Sequence, residues 1–365
     1  MKVLILTCHT GDGHNSAACA MAREMESRGW EYEIADPIGI RSKRAEKVVC
    51  SCYNGLIRHT PKAFGLVYHV GRAVSNIPLK SPVYYANGVY ASRIERYIEK
   101  GGFDAILCTH LFGMEAVTAL RRRKGFSAPA YGIMTDYTCI PFFRETELDG
   151  YFIPHPDLVA PMAAKGLAGE RLYPTGIPVD PRFRQEISQQ EARKQLNLPV
   201  DKKIVVIMTG GVGCESMASL CRTLSTRSAT DFETYVLVGR NEKLAQTLRE
   251  TCPSIHVVPF TRDVFLYMKS ADVLLSKAGG LSSTEAAVAG VPLIHLKTIP
   301  GCESCNAAFF SRRGLSLATS SDRKAADGVE FLLIHPDRQE AMRAAQRREI
   351  NRNAAAQIAD RMEKR

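Results

Sequence analysis

The sequence lacks any uninterrupted apolar run of about 18 residues, the length that a membrane-spanning helix needs. Its first residues, MKVLILTCHTGDGH, reach glycine and aspartate too early for the apolar core of a signal peptide. Hydrophobic residues make up 45% of the chain and charged residues 24%, which is typical of a globular protein. We therefore expect a cytoplasmic protein that is neither secreted nor embedded in a membrane.

Recognisable DNA- or RNA-binding modules are also missing, although 48 Lys and Arg against 38 Asp and Glu give a formal charge of +10. Such a charge indicates an anionic partner. Since no nucleic-acid module is present, we expect that partner to be a phosphorylated substrate or a membrane surface rather than nucleic acid.

Cysteine occurs an odd number of times, 11, and Cys8 and Cys108 fall inside apolar runs. Disulfides rarely persist in a reducing compartment, so we expect free thiols. Cys302 and Cys305 have the Cys-x-x-Cys spacing of redox and zinc sites. Because no second Cys or His pair at zinc-finger spacing accompanies them, we interpret these two thiols as incidental.

Short apolar runs of strand length alternate with amphipathic stretches along the chain, a pattern that predicts an α/β fold with parallel sheets. At 365 residues the chain exceeds what one hydrophobic core organises, so two domains are expected. The predicted strands form two series, 2–7, 31–35, 104–109, 130–135 and 150–154, then 203–209, 233–238, 255–258, 272–275 and 292–296.

A glycine and two prolines interrupt this periodicity in the segment TGIPVDPRFRQEIS, as an interdomain connection would. We therefore assign residues 1–180 to a first domain and 181–335 to a second. The remaining residues, 336–365, contain no glycine and are rich in Ala, Arg, Gln and Glu, which predicts one or two C-terminal helices.

The segment LSKAGGLSSTEAAVAG leads from a predicted buried strand into a predicted helix. Gly279 and Gly280 would let the backbone approach an oxyanion closely, and Ser282 and Ser283 could cap the helix or donate to phosphate. The carboxylate of Glu285, placed in the first helical turn, would repel phosphate but suits ribose hydroxyls. We predict a sugar-nucleotide site; the alternative is a tight turn with a capping box and no ligand.

A second glycine loop, VIMTGGVGCESM, follows the first strand of the second series and contains Gly210, Gly211 and Gly213. Its spacing is not the G-x-G-x-x-G of dinucleotide sites, which disfavours a nicotinamide cofactor. Arg240, just beyond another predicted strand, could reach a phosphate or a base, or be an ordinary surface arginine.

The segments GGLSSTEAAVAGVPLI and IPGCESCNA resemble the donor-site signature of one glycosyltransferase family. That family includes bacterial diacylglycerol glucosyltransferases, monogalactosyldiacylglycerol synthases and, more distantly, the muramyl-lipid N-acetylglucosaminyltransferase. The likeness covers almost the whole chain, through TCHTGDGHNSAACAMA, TGIPVDPRF, VLVGRNEKL and VVPFTRDVFLYMKSADVLLSKAGG. It implies two Rossmann-like domains whose parallel sheets face a central cleft, the GT-B architecture, with the C-terminal helix packed back on the amino-terminal domain.

By the same resemblance the carboxy-terminal half holds a UDP-sugar, and the reaction inverts the anomeric centre with no metal ion and no cofactor. The turn from Gly280 through Leu281 to Ser283 then corresponds to the diphosphate cradle, and Glu285 to the carboxylate that holds the ribose. Phe260 and Thr261 fall where the family's backbone reads uracil.

Two residues of the second signature match family positions near the donor sugar, namely Glu303 and Asn306. Cys302 stands where the family usually has glutamine, and a thiol lacks the paired donor and acceptor functions of an amide. The resemblance therefore leaves glucose and galactose open as the transferred sugar.

Two polar residues beyond strands of the first series are candidate catalysts. His14 lies near the start of the helix in TCHTGDGHNSAA, where it could take a proton from an acceptor hydroxyl or serve as a cap or packing residue. Asp136 in TDYTCIPFF could be a competing base, or orient His14 or the acceptor. In the family this second motif continues with His and Trp, where Ile140 and Phe143 stand here.

The segment between Arg41 and Arg72 holds seven Lys and Arg against one Glu, interleaved with apolar side chains. This mixture is typical of a surface that lies in an anionic membrane interface, although a charged solvent face on ordinary helices is the alternative. The resemblance favours the membrane, since the corresponding part of the family meets the bilayer.

These observations together predict an inverting, UDP-sugar-dependent hexosyltransferase at the inner face of the cell membrane. Its expected acceptor is diacylglycerol or a monoglycosyl diacylglycerol, and its expected sugar is glucose or galactose. The alternatives are transfer of N-acetylglucosamine to a lipid-linked muramyl peptide, a sugar-nucleotide epimerase of similar fold, and a noncatalytic lipid-binding protein. The epimerase needs no acceptor and no basic segment, and the lipid-binding protein needs no intact donor loop.

Overall fold

The computed structural model describes residues 1–8, 12–45, 47–49, 51, 71, 80–122, 126–210, 214–227, 231–298 and 300–364. These residues form two compact units, Met1–Pro181 with Asn351–Arg365, and Arg182–Ile350. Each unit contains a six-stranded sheet in which the strand pairs are parallel. The predicted α/β fold with two Rossmann-like domains is confirmed.

The first sheet has the order β2-β1-β3-β4-β5-β6. Its strands are β1 (Lys2–Leu6), β2 (Glu31–Ala35), β3 (Ala105–Cys108), β4 (Ala130–Ile133), β5 (Gly150–Phe152) and β6 (Leu172–Tyr173). In the described part of this unit, the helices before the connection include α1 (Asp12–Ser27), α2 (Pro37–Arg41), α3 (Pro82–Gly88), α4 (Ala91–Gly101), α5 (Leu111–Arg121) and α6 (Val159–Ala163).

The second sheet has the order β12-β11-β10-β7-β8-β9. Its strands are β7 (Lys203–Met208), β8 (Phe232–Gly239), β9 (Ile255–Pro259), β10 (Val273–Ser276), β11 (Leu293–His295) and β12 (Leu317–Ala318). The remaining helices are α7 (Gln189–Gln195), α8 (Cys214–Ser225), α9 (Glu242–Thr251), α10 (Val264–Ser270), α11 (Gly280–Ala289), α12 (Cys302–Arg312), α13 (Asp322–Ile334), α14 (Pro336–Glu349) and α15 (Ala354–Glu363).

The core of the first unit joins both ends of its chain. Val3 of β1, Met21 of α1 and Phe152 of β5 belong to one fully buried apolar cluster that also contains Ile358 and Met362 of α15. Helix α15 therefore covers the same face of the sheet as α1, and its apolar residues recur at the four-residue spacing that places them on one helix face.

The C-terminal segment 336–365, expected to form one or two helices packed on the first domain, is divided between the two units. Helix α14 belongs to the second unit, where Nε2 of Gln346 donates to the carbonyl oxygen of Val291 at 3.0 Å. Helix α15 belongs to the first, where Arg28 of α1 pairs with Asp360 at 2.7 Å. Composition could not reveal this division, because both helices are rich in the same polar residues and alanine.

Candidate active site

Each sheet reverses its strand order at one point, between β1 and β3 in the first unit and between β7 and β10 in the second. At such a point the following helices leave toward opposite faces of the sheet, which opens a crevice beyond the carboxyl ends of the two strands. The loops that follow these four strands are therefore where ligands are expected to bind. The predicted catalytic and donor-loop residues lie on or next to these loops.

His14 lies in the first turn of α1, beyond β1, and its ring contacts the loops that follow β3 and β4. Its Nδ1 is 2.8 Å from the carbonyl oxygen of Thr109 and 3.0 Å from Oγ1 of Thr135. A carbonyl oxygen only accepts hydrogen bonds, so Nδ1 carries the hydrogen in the neutral ring. The lone pair that can take a proton is consequently on Nε2.

Burial favours the neutral form of this ring. Burial lowers the pKa of His14 from its ordinary value of 6.5, against the opposing effects of the Asp136 charge and the hydrogen bond to Thr109. A pKa below 6.5 leaves the unprotonated base in excess at pH 7. The structure thus brings Asp136, on the loop after β4, into electrostatic interaction with His14 beyond β1.

A second histidine, His110, joins this cluster and was not predicted. It precedes α5 as its N-cap, where Nδ1 accepts a hydrogen bond from the Phe112 N–H at 3.2 Å, and its ring centroid is 4.6 Å from that of His14. Burial, with a smaller effect from His14, holds the pKa of His110 well below 6.5. Because Nδ1 accepts, the neutral His110 ring carries its hydrogen on Nε2 and is a donor there. Its position just beyond a predicted strand was the available sequence signal.

On the second unit, helix α11 begins beyond β10 with Gly279 as its N-cap. Among the described residues no side chain caps this helix end, and the first helical bond runs from the Ser283 N–H to the Gly279 carbonyl at 3.0 Å. The N–H groups of Gly280, Leu281 and Ser282 therefore precede the helical ladder and can meet an anion. A Cβ at Gly279 would lie 3.0 Å from Oγ of Ser282, so a larger residue at this position would require the Ser282 hydroxyl to shift.

The side chain of Ser283 is not part of this cradle, which corrects its predicted role. It is fully buried, and its hydroxyl is 2.9 Å from Nε2 of His295. Successive helical residues point about 100° apart, so Ser282 lies partly exposed while Ser283 points into the core. The backbone and Ser282 are the groups left for a diphosphate.

Glu285 lies in the second turn of α11 rather than the first, because the helix already begins at Gly280. The first turn contains no acidic residue, so no carboxylate opposes an anion at the helix end itself. Glu285 is partly buried, which is compatible with the predicted contact to ribose hydroxyls.

Arg240 and Phe260 follow neighbouring strands, β8 and β9, and form one stacked pair. The guanidinium carbon of Arg240 lies 4.5 Å from the centroid of the Phe260 ring, and Phe260 is 55% exposed. Thr261 comes next, where its Oγ1 accepts the Asp263 N–H at 3.0 Å. An exposed aromatic ring stacked with a guanidinium is a surface on which a planar base can rest.

Asn306 supports the donor loop instead of facing an open site. It is fully buried, and its Nδ2 donates to the carbonyl oxygen of Ala278 at 3.0 Å. This corrects its placement beside the donor sugar, because no part of its side chain is left exposed. Glu303, in the first turn of α12, is partly exposed and pairs with Lys277 at 3.0 Å.

Two of the predicted donor-loop glycines, Gly211 and Gly213, lie outside the described residues. Gly210, which precedes them, has a φ of 45° that favours glycine. In the described part of the chain, the cysteines whose side chains are placed form no disulfide, Cys302 and Cys305 among them. In the same part, no group of three or more His, Cys, Asp or Glu side chains is arranged to hold a metal ion.

Comparisons with known families identify the class of protein to which these two units belong. Residues 14–179 match the model of monogalactosyldiacylglycerol (MGDG) synthase, and residues 204–362 match that of the glycosyltransferase family 28 C-terminal domain. The chain therefore combines a domain of the monogalactosyldiacylglycerol synthase family with a C-terminal domain of glycosyltransferase family 28. The resemblance read from the donor-site signature is thereby confirmed, and the protein is an enzyme of the glycosyltransferase class.

Two relatives with the same named activity are similar to this glycosyltransferase over most of its length. It is 28% identical over 338 residues to the processive diacylglycerol beta-glucosyltransferase of Bacillus thuringiensis (strain Al Hakam), covering 91% of this chain and 85% of the relative. The enzyme of the same name from Bacillus licheniformis is 26% identical over 344 residues, covering 91% and 86%.

Solved structures share its fold at lower identity. Acinetobacter baumannii MurG superimposes with a TM-score of 0.66 and 15% identity, covering 100% of this chain and 99% of that one. The UDP-GlcNAc 2-epimerase of Neisseria meningitidis, bound to UDP-GlcNAc, has a TM-score of 0.64 and 13% identity, with 100% of both chains covered. These likenesses show the GT-B fold.

The structure also shows the surroundings of Ile140 and Phe143, the two residues that replace the His and Trp of the family motif. Phe143 is buried at the start of a short 3-10 turn, whereas Ile140 is partly buried. Most of the basic segment 41–72 lies outside the described residues, but its described basic side chains are exposed, and they are Arg41, Lys43, Arg44 and Lys47. Within the described part of the chain, no helix is both long and apolar enough to cross a bilayer.

Proposed function

We propose that this glycosyltransferase moves a hexose from a UDP-sugar to a hydroxyl of diacylglycerol or of a monoglycosyl diacylglycerol, with inversion at the anomeric carbon. The activity named for its relatives supports this acceptor and favours glucose over galactose. The observation that carries the chemistry is the hydrogen bond from His14 to Thr109, which leaves a basic Nε2 on a neutral ring.

In this mechanism Nε2 of His14 takes the proton of the acceptor hydroxyl. The hydroxyl oxygen attacks the anomeric carbon as the bond from that carbon to the diphosphate of UDP breaks. The charge of Asp136, which already favours the protonated ring, stabilises the imidazolium that forms. The departing diphosphate gains negative charge and is stabilised by the free N–H groups of α11. The proposal includes neither a metal ion nor an organic cofactor.

We further propose that the reaction takes place on the inner surface of an anionic membrane. The exposed Lys and Arg side chains at the end of α2 and just beyond it support this, together with Val48, which is 62% exposed. Each basic side chain near an anionic leaflet contributes about 1 kcal/mol, and an apolar side chain adds burial.

The direct test of the function incubates the purified protein with a panel of UDP-sugars and liposomes that contain diacylglycerol, and resolves the glycolipid by mass. A hexosyl diacylglycerol is expected. Failure to form it from any UDP-hexose, or formation only of an epimerised sugar nucleotide, would contradict the proposal.

Replacing the four exposed basic residues Arg41, Lys43, Arg44 and Lys47 with glutamine is expected to reduce cosedimentation with anionic liposomes and to leave UDP affinity unchanged. Raising the salt concentration should act in the same direction, because the Debye length falls below about 10 Å above 0.1 M. The matched control removes four exposed charges from the second unit, Lys194, Lys243, Arg249 and Lys324. Equal loss in both variants, or equal binding of the unmodified protein to neutral liposomes, contradicts the membrane proposal.

Replacing Glu285 with alanine is expected to weaken UDP binding by about ten- to a hundredfold, because a hydrogen bond to a charged group contributes about 1.5–3 kcal/mol. Calorimetry with UDP measures this loss. Glu250→Ala, an exposed carboxylate on α9, is the control and should bind UDP normally. Unchanged affinity in folded Glu285→Ala would remove this residue from the ribose site.

A further inference from the structure

Lys277 is a cation at the switch point of the second sheet, and the sequence motifs did not single it out. It follows β10 directly, and its Cε lies 3.3 Å from the position that a Cβ on Gly210 would take and 3.9 Å from the corresponding position on Gly279. Gly210 follows β7, so this one side chain extends over the turns beyond both strands that flank the reversal. Its position is where an anion at the helix end of α11 would be neutralised.

In this structure Nζ of Lys277 is paired with Oε1 of Glu303 at 3.0 Å. The side chains are 36% and 20% exposed, so the pair is accessible but not fully solvated. Its partner is therefore a carboxylate in the first turn of α12, at a position that the family resemblance places near the donor sugar.

Other contacts already hold the two loops in place. Asn306 anchors the β10 loop through the Ala278 carbonyl at 3.0 Å. The turn before α12 is closed by Ser304, whose Oγ donates to the Gly301 carbonyl at 2.8 Å and accepts its N–H at 3.2 Å. The Lys277–Glu303 pair can therefore separate without releasing either loop.

We propose that the pair is a donor-sensing exchange, which rests on the proposed use of a UDP-sugar. When a nucleoside diphosphate binds, the Lys277 ammonium leaves the single carboxylate of Glu303 for the more highly charged diphosphate. The freed carboxylate is then repelled by the diphosphate unless it accepts hydrogen bonds, which hexose hydroxyls supply. Binding of UDP alone leaves Glu303 uncompensated, whereas binding of a UDP-hexose satisfies both members of the pair.

Two substitutions separate these roles in calorimetric titrations with UDP and with UDP-glucose. Lys277→Gln removes the cation and is expected to weaken both ligands by about ten- to a hundredfold. Glu303→Gln removes the competing carboxylate. It is expected to increase the affinity for UDP by up to about fivefold, which corresponds to the contribution of a weak ion pair. The same variant should lose its preference for UDP-glucose over UDP. If the pair had only a structural role, the two substitutions would not change the affinity for UDP in opposite directions.

The chain offers a matched control in the pair of Lys202 and Glu233, 2.9 Å apart, at the amino end of the same sheet. Lys202→Gln and Glu233→Gln should leave both affinities unchanged. If the unmodified protein binds neither ligand, the proposed donor site itself is wrong. If it binds both but Glu303→Gln weakens UDP, or Lys277→Gln has no effect, the exchange is overturned while the donor site stands.

Discussion

Replacing His14 with alanine is expected to lower turnover by about 10²- to 10⁴-fold, the usual contribution of a positioned general base, and to leave UDP affinity almost unchanged. The physical reason is the tautomer. With Nδ1 hydrogen-bonded to the Thr109 carbonyl, Nε2 is the ring atom that can take the acceptor proton. Single-turnover formation of glycolipid, followed by mass, measures the chemical step apart from product release.

The pH profile gives an independent test of the same assignment. The base is lost as pH falls through the pKa of His14, and burial places that pKa below 6.5. Turnover of the unmodified enzyme should therefore remain above half its maximum at pH 6.5 and decline at lower pH. His14→Ala should lose this acid limb.

Two further variants complete the experiment on His14. His256→Ala, at an exposed position of the second unit, is the control and should keep normal turnover. If His14→Ala reacts at a near-normal rate, the assignment is wrong, and Asp136→Asn in the same assay then shows whether the carboxylate takes the proton. A smaller loss in Asp136→Asn than in His14→Ala is expected, because Asp136 stabilises the imidazolium without accepting the proton.

Replacing Asp272 with alanine is expected to lower the free energy of unfolding of the second unit by about 3–5 kcal/mol, the effect of breaking a buried ion pair by removing one partner. Asp272 lies just before β10, and its Oδ2 accepts from Nη2 of Arg193 at 2.8 Å and from the Ile204 N–H at 2.7 Å. Both side chains are buried, so alanine would leave a guanidinium with no carboxylate. Urea denaturation with hydrogen exchange of the β7 and β10 amides measures the loss.

The controls for this prediction distinguish charge from hydrogen bonding. Asp272→Asn keeps an acceptor for Ile204 but loses the charge, so an intermediate loss is expected. Asp201→Ala, an exposed carboxylate of the same unit, should change stability little. A loss below about 1 kcal/mol in Asp272→Ala, the size of a surface ion pair, would contradict the prediction.

Most strands of the two sheets could be predicted from the sequence. Parallel strands are covered by helices on both faces, so they appear in the sequence as continuous apolar runs. Strand β7 is an example, with four fully buried residues between Lys203 and Met208. Strands β6 and β12 were missed, since each has two residues, too few to form a recognisable apolar run.

The position of the donor loop could also be predicted from a short stretch of sequence. Glycines and hydroxyl residues that follow an apolar run predict a strand end and a helix start without knowledge of the fold. The sequence did not predict which loops lie next to one another, because strand order is set by how the crossover helices pack. His14 therefore contacts Thr109, 95 positions away, and Thr135, 121 positions away, through the order β1-β3-β4.

The sequence by itself determined the two-domain α/β class, the places where strands end and the residue types available there, because these follow from periodicity and turn chemistry within short windows. Only the tertiary structure decided what each side chain faces. It turned Ser283 and Asn306 into the core, paired Lys277 with Glu303 and placed the hydrogen of His14 on Nδ1. Burial and hydrogen-bond partners depend on elements that meet only when both sheets have formed, and no local window contains them.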